Sequence, residues 1–189
     1  MTNIEFQLAD AERLGDPEHS FDLILCANTF PWLQHKKATL ELWYRLLKPD
    51  GTIGIHTPDD TAYVGVVILK KVLSKYGVVL ESSNRIGSIS ECAEFLKNAG
   101  LEEIEIHTEQ HGSYTTLDRL QATWESIVVN PSILSLKDTA DRLSQLTPAQ
   151  LTSAQAEFIT ELETLQINRG IWDDLTTLYI LGRRLGDRF

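Results

Sequence analysis

The chain has 189 residues, 42% apolar and 23% charged, which is enough for a folded domain with a sizeable core. Its 17 lysines and arginines face 27 acids, a net charge of −10. That balance repels phosphate backbones and anionic headgroups, so it argues against nucleic acid and against a membrane surface as partners. No apolar run approaches the ~20 residues that cross a bilayer, and the polar start Met1–Asp10 does not read as a signal peptide. The two cysteines, Cys26 and Cys92, read as buried, reduced thiols of a cytosolic protein. No clustered histidines, cysteines or acids have ligand spacing, so no metal is expected.

In chain order, Ile4, Phe6 and Leu8 alternate with Glu5 and Gln7, which predicts a short strand. Phe21–Ala27 is nearly all apolar and reads as a strand buried on both faces, the habit of parallel sheets. Lys37–Leu47 predicts a helix, because Leu40, Trp43, Tyr44 and Leu47 fall on one face. Pro49-Asp50-Gly51 turns the chain into a strand at Thr52–His56. A helix over Ala62–Tyr76 follows, then one opened by Ser88 with Glu91 as a capping box and closed by Gly100. Ile104–His107 is the next strand. Beyond it come helices at Leu117–Val128, capped by Thr116, at Leu136–Leu146, and from Pro148, capped by Thr147 with Gln150. Leu175–Leu181, rich in β-formers, is the closing strand. Alternating strands and helices predict an α/β fold with a parallel core, and the stretch 114–170 reads as a helical insertion within one domain, 1–189.

Four pieces lie in register over the first third of the chain. They are Ile4–Glu12, Ser20-Phe21-Asp22-Leu23-Ile24, Asn28-Thr29-Phe30-Pro31-Trp32, and Arg45-Leu46-Leu47-Lys48-Pro49-Asp50-Gly51. Together they resemble the class I S-adenosylmethionine-dependent methyltransferases. More narrowly, they are similar to the small-molecule branch that includes trans-aconitate and malonyl-carrier-protein methyltransferases. Asp50 stands where that family usually has a glycine. The resemblance implies a Rossmann-like sheet in strand order 3-2-1-4-5-7-6, S-adenosylmethionine as cofactor, and a small-molecule methyl acceptor.

The resemblance also implies site residues. Asp10, Ala11 and Glu12 form the turn that meets the adenine, with the Asp10 carboxylate on the exocyclic amine and the Ala11 N–H on a ring nitrogen. The residues alone leave another reading of Asp10 open, as a cap for the turn that follows. Ala27 and Asn28 lie where the cofactor crosses the sheet edge; Asn28 could equally bond a local turn. Phe30, Trp32 and His35 are the candidates for the substrate side, although Phe30 and Trp32 also suit a core. His35 and His56 are the histidines near strand ends that could serve as a base. Methyl transfer from a sulfonium demands alignment more than a base, so no catalytic residue is assigned.

The family's glycine-rich turn and ribose-binding acid have no counterpart here, since no Gly-x-Gly pattern precedes Gly51. The expectation is a methyltransferase sheet truncated at its N-terminal side, poor as a catalyst by itself. Its bare fourth-strand edge would be covered by a second copy or by a missing N-terminal half. The alternative is an inactive, methyltransferase-like binding or regulatory partner.

Overall fold

The computed structural model describes residues 3–80, 89–129 and 137–186. The chain divides into two compact units. The first draws on Met1–Thr57, Asn84–Thr108 and Leu178–Phe189, the second on Pro58–Ser83 and Glu109–Thr177.

The first unit holds a four-stranded sheet in the order β1 (Phe21–Ala27), β2 (Leu47–Pro58), β6 (Thr177–Arg183), β3 (Glu102–Glu109). This is the order 4-5-7-6 that the family resemblance implies. β1 and β2 run parallel, with Leu25 opposite Gly54 and Ala27 opposite His56. β6 runs against β2: at the start of β2, Asp50 N–H donates to Arg184 O and Arg184 N–H to Gly51 O, at 2.8 and 2.9 Å. Arg183 at the end of β6 meets Glu103 at the start of β3 at 3.2 Å, so those two strands are antiparallel as well.

Helices α1 (Lys36–Leu46) and α3 (Ile89–Asn98) supply Leu40, Trp43, Cys92 and Leu96 to one core with Cys26, Ile53, Ile55, Leu178 and Ile180. That core lies on one face of the sheet. Leu25, Gly54 and Leu181 touch on the other face, and Leu25 is 70% exposed there. The expectation that Phe21–Ala27 is buried on both faces is therefore corrected. The run is apolar and parallel, but its two helices pack on one side only. The expected strand at Ile4–Leu8 is also absent. That segment joins neither sheet, and Phe6 and Leu8 are fully exposed.

Lys48–Gly51, expected as a turn ahead of the strand, instead lies within β2 at a register irregularity against β1, and its backbone explains two residues of the sequence pattern. Asp50 has φ +65°, the left-handed region that a glycine meets at no cost and that an aspartate tolerates. At Gly51 a Cβ would stand 2.9 Å from Lys48 O and 3.2 Å from Asp22 O, so the β1–β2 pairing leaves no room for a side chain.

The second unit is built on α2 (Val64–Lys75), α4 (Leu117–Trp124), a π turn (Glu125–Val129), α5 (Lys137–Leu143) and α6 (Pro148–Thr164). Ile68, Leu69, Val72, Trp124, Phe158 and Leu162 are part of its core. Both helix caps expected from the sequence form: Thr116 Oγ1 accepts from Arg119 N–H, and Thr147 with Gln150 makes a reciprocal capping box. The Ser88 cap and Leu136 lie outside the described residues. Lys71 pairs with Glu161 at 2.8 Å, and Lys75 with Glu157, stitching α2 to α6. A two-stranded antiparallel sheet, β4 (Gly112–Thr115) with β5 (Ile171–Asp174), was not expected and flanks the helical stretch. The closing strand begins two residues later than expected, at Thr177.

Candidate cofactor site

The turn at Asp10–Arg13 forms through its own side chain. Asp10 Oδ1 accepts the Glu12 N–H at 2.9 Å, and Arg13 N–H donates to Asp10 O at 2.9 Å. Two longer-range bonds then pin the turn to α1. Trp43 Nε1–H donates to Ala11 O at 3.0 Å, and His35 N–H donates to Glu12 Oε1 at 2.7 Å. An indole buried at 3% exposure needs an acceptor for its N–H, and this carbonyl supplies it. One Asp10 oxygen thus caps the turn, the second of the two readings, and the other lies 3.8 Å from the Arg13 guanidinium. The Ala11 N–H has no partner among the described residues. An acceptor and a donor therefore stand on adjacent residues, which fits the amine and ring nitrogen of an adenine edge.

The other half of the candidate site follows β1. Asn28 N–H donates to His56 O at 2.8 Å, extending the β1–β2 ladder by one rung, and Asn28 takes φ +51°. Its exposed side chain bonds no local turn among the described residues and is free to meet a ligand. Thr29 Oγ1 donates to Ala27 O at 3.0 Å. Phe30–Trp32 is one turn of 3-10 helix with Pro31 at its start. Of the residues expected on the substrate side, Phe30 is drawn wholly into the core, edge-on to Trp43 with ring centroids 6.1 Å apart. Trp32, 52% exposed, and His35 face solvent. His56 lies against the Tyr179 ring at 5.0 Å. Burial pushes the Cys26 thiol up, against weaker help from the Thr29 and Phe30 backbone, so Cys26 is a packed, protonated thiol.

Lys36 was not singled out by the sequence, yet it holds this loop closed. Its ammonium, buried among apolar residues, donates to Leu33 O at 2.6 Å and to Pro31 O at 3.2 Å, and sits 5.9 Å over the Phe30 ring. Burial lowers its pKa to about 8, opposed by the nearby Glu12 carboxylate. The consequence has a definite sign. Between about pH 8 and the ordinary lysine value of 10.5, the native chain has released a proton that the unfolded chain keeps, so stability rises with pH in that window. Relative to Lys36→Met, the parent should gain about 2–3 kcal/mol from pH 7.5 to 10.5. Urea unfolding of both proteins across that range checks it; a difference that does not change with pH would refute the burial of a charged amine.

Residues 1–55 match the model of a methyltransferase domain. The chain superposes on the YcgJ protein of Bacillus subtilis with a TM-score of 0.53 at 18% identity, covering 97% of this chain and 72% of that one. It superposes on a Bacillus halodurans protein solved as a candidate methyltransferase with a TM-score of 0.51 at 15% identity, covering 97% and 78%. The fold is that of the Rossmann-like methyltransferases. Among curated relatives, a methyltransferase-like protein of Schizosaccharomyces pombe is 34% identical over 76 residues, 39% of this chain and 29% of that protein. The ubiquinone/menaquinone biosynthesis C-methyltransferase UbiE of Neisseria meningitidis is 30% identical over 121 residues, 56% of this chain and 49% of that enzyme. The chain thus spans half or less of the curated relatives it matches.

Proposed function

We propose that the chain carries the adenine-side part of an S-adenosylmethionine site and serves methyl transfer to a small-molecule acceptor, in a cytoplasmic protein. The observation that carries this reading is the Asp10–Ala11 pair, an outward carboxylate beside a free N–H on a turn fixed to α1. Glu12, Ala27 and Asn28 complete the cofactor side. Trp32 and His35 are the accessible candidates on the acceptor side, and an aromatic face such as that of Trp32 attracts a sulfonium cation. When bound, the cofactor would supply the electrophilic methyl group; the residues here would hold and orient its adenine. No helix of the described residues is long and apolar enough to cross a membrane. Within this reading, the helical stretch 114–170 is an insertion in a single domain devoted to acceptor recognition.

A second reading is an inactive, methyltransferase-like binding or regulatory partner. The two separate in one assay. Labelled methyl from S-adenosylmethionine, offered with small carboxylic acids and amines, should pass slowly to an acceptor and not pass with Asp10→Ala. Saturable binding of S-adenosylhomocysteine with no transfer would favour the partner instead. Under both readings the outer edge of β1, unpaired among the described residues and with Leu23 and Leu25 exposed on that strand, recruits a second chain. Light scattering of residues 1–189 should therefore report dimers or larger species, and a monomer at high concentration would contradict it.

A further inference from the structure

Among the described residues, Lys36 is the charged side chain that folding takes almost wholly out of water, at 7% exposure. Its ammonium donates to the Leu33 and Pro31 carbonyls at 2.6 and 3.2 Å, and among the described residues no carboxylate pairs with it directly. Two carbonyl dipoles offset only part of the hydration that an ammonium loses on burial. The charge that favours the ammonium there is the Glu12 carboxylate of the Asp10–Arg13 turn, acting through space. The same carboxylate accepts the His35 N–H at 2.7 Å. Glu12 therefore acts on the segment 31–35 twice, through a hydrogen bond at its end and through the amine that ties its carbonyls. The other titratable groups close by are the Cys26 thiol of β1, against the Thr29 and Phe30 backbone, and the exposed His35 and Lys37 on either side of Lys36 in the chain.

We propose that residues 31–35 form a strap that opens when the Lys36 ammonium swings out into water, and that closes, carrying Trp32 with it, when the Asp10–Glu12 turn is held in order. Opening breaks the two Lys36 bonds and the His35–Glu12 bond and uncovers Leu33, which is buried in the closed form. Against these losses stands the hydration that the ammonium regains, which brings the open form close in free energy. The coupling is reciprocal: whatever fixes Glu12 favours the closed strap, and the closed strap fixes Glu12. That the strap serves a methyl acceptor rests on the methyl-transfer reading; its opening does not. The balance depends on pH with a definite sign. Burial lowers the Lys36 pKa from 10.5 to about 8, so the open form binds the proton more tightly and rising pH favours the closed form. Between pH 7 and 9.5 the opening equilibrium should fall roughly 10- to 30-fold.

The test follows hydrogen exchange of the Leu33 and His35 amides, which are bonded to Phe30 O and Glu12 Oε1 in the closed strap. It uses the ligand-free, full-length chain, with each rate corrected for its intrinsic value at that pH. Both amides should exchange faster than the amides of β2 by about tenfold or more, the mark of local opening, and their opening should fall with rising pH as stated. Lys36→Met, which keeps the bulk and removes the charge, should abolish the pH trend. Glu12→Gln keeps an acceptor for the His35 N–H and removes the charge. It should raise opening several-fold at pH 7, and much less at pH 9.5 or in the Lys36→Met background; it also decides the matter should Lys36→Met alone not fold. S-adenosylhomocysteine, where shifts of the Ala11 and Glu12 amides show it bound, should slow both strap amides. If it does not bind, the methyl-transfer reading fails, and the strap is judged on the ligand-free rates and on Glu12→Gln. Strap amides that exchange only with β2, a pH trend absent in the parent or surviving in Lys36→Met, an equal response of Glu12→Gln at both pH values, or bound S-adenosylhomocysteine that leaves the strap rates unchanged would each overturn the proposal.

Discussion

Replacing Trp43 with alanine is expected to destabilise the first unit by about 3–5 kcal/mol and to abolish cofactor binding at the Asp10 turn. The first effect follows from packing. Trp43 is almost wholly buried, lies edge-on to Phe30, and shares a core with Leu40, Ile53 and Cys26. Removing an indole there leaves a cavity that α1 and the sheet cannot close without moving the strands. The second effect follows from one bond, Trp43 Nε1–H to Ala11 O, which holds the turn against α1. Trp43→Phe separates the two. It retains most of the buried area and loses the tether, so it should cost about 1–2 kcal/mol of stability, a lost hydrogen bond plus a small void. It should still weaken S-adenosylhomocysteine clearly. Urea unfolding paired with a binding titration checks both; Trp43→Phe binding as tightly as the parent would mean the turn needs no tether.

Asp10→Ala is expected to do the reverse, with a large effect on binding and a small one on stability. The Asp10 side chain is more than half exposed, and among the described residues its structural duties are a bond to Glu12 N–H and a loose ion pair with Arg13. Losing such a local cap costs about 0.5–1 kcal/mol, while the turn stays pinned through Ala11 O and Glu12 Oε1. A charge-assisted bond to an adenine amine is worth about 1.5–3 kcal/mol, so affinity for S-adenosylhomocysteine should fall roughly ten- to hundredfold. Asp10→Asn, which keeps the cap acceptor and drops the charge, should lie between the two. If Asp10→Ala melts early and binds normally, the residue is a cap and nothing more.

The sheet and its helices were legible because they rest on long patterns. The apolar run Phe21–Ala27, the helical face Leu40–Trp43–Leu47 and the Thr147–Gln150 box each draw on several residues obeying one period or cap rule. The strand at Ile4–Leu8 failed for the opposite reason. Alternation shows that a segment can pair, but pairing also requires a neighbour with free hydrogen-bonding groups in reach, and the sequence of the segment cannot supply that. β4 and β5 escaped notice because Gly-Ser-Tyr-Thr and Ile-Trp-Asp-Asp are too short to show a period, and each exists only because its distant partner does. In the candidate site, Asp10, Ala11, Asn28, Phe30, Trp32 and His35 are proposed from register with the family pattern. Register does not separate Phe30 from the core, since an aromatic beside a strand end suits a core and a ligand equally, and here the Trp43 ring claims it. Lys36 and the tether from Trp43 depend on which side chains meet after folding. A lysine in the first turn of a helix carries no sign in sequence that two carbonyls await it.

The Asp10–Ala11 turn is proposed to read an adenine edge. Titrating S-adenosylhomocysteine into the isotopically labelled chain and following the backbone amides tests it most directly. Weak but saturable binding is expected, with the largest shifts at the Ala11 and Glu12 amides, a second set at Asn28, and loss of the first set in Asp10→Ala. Shifts confined to other parts of the chain, or a folded protein whose Ala11 amide does not respond at saturating ligand, would contradict it.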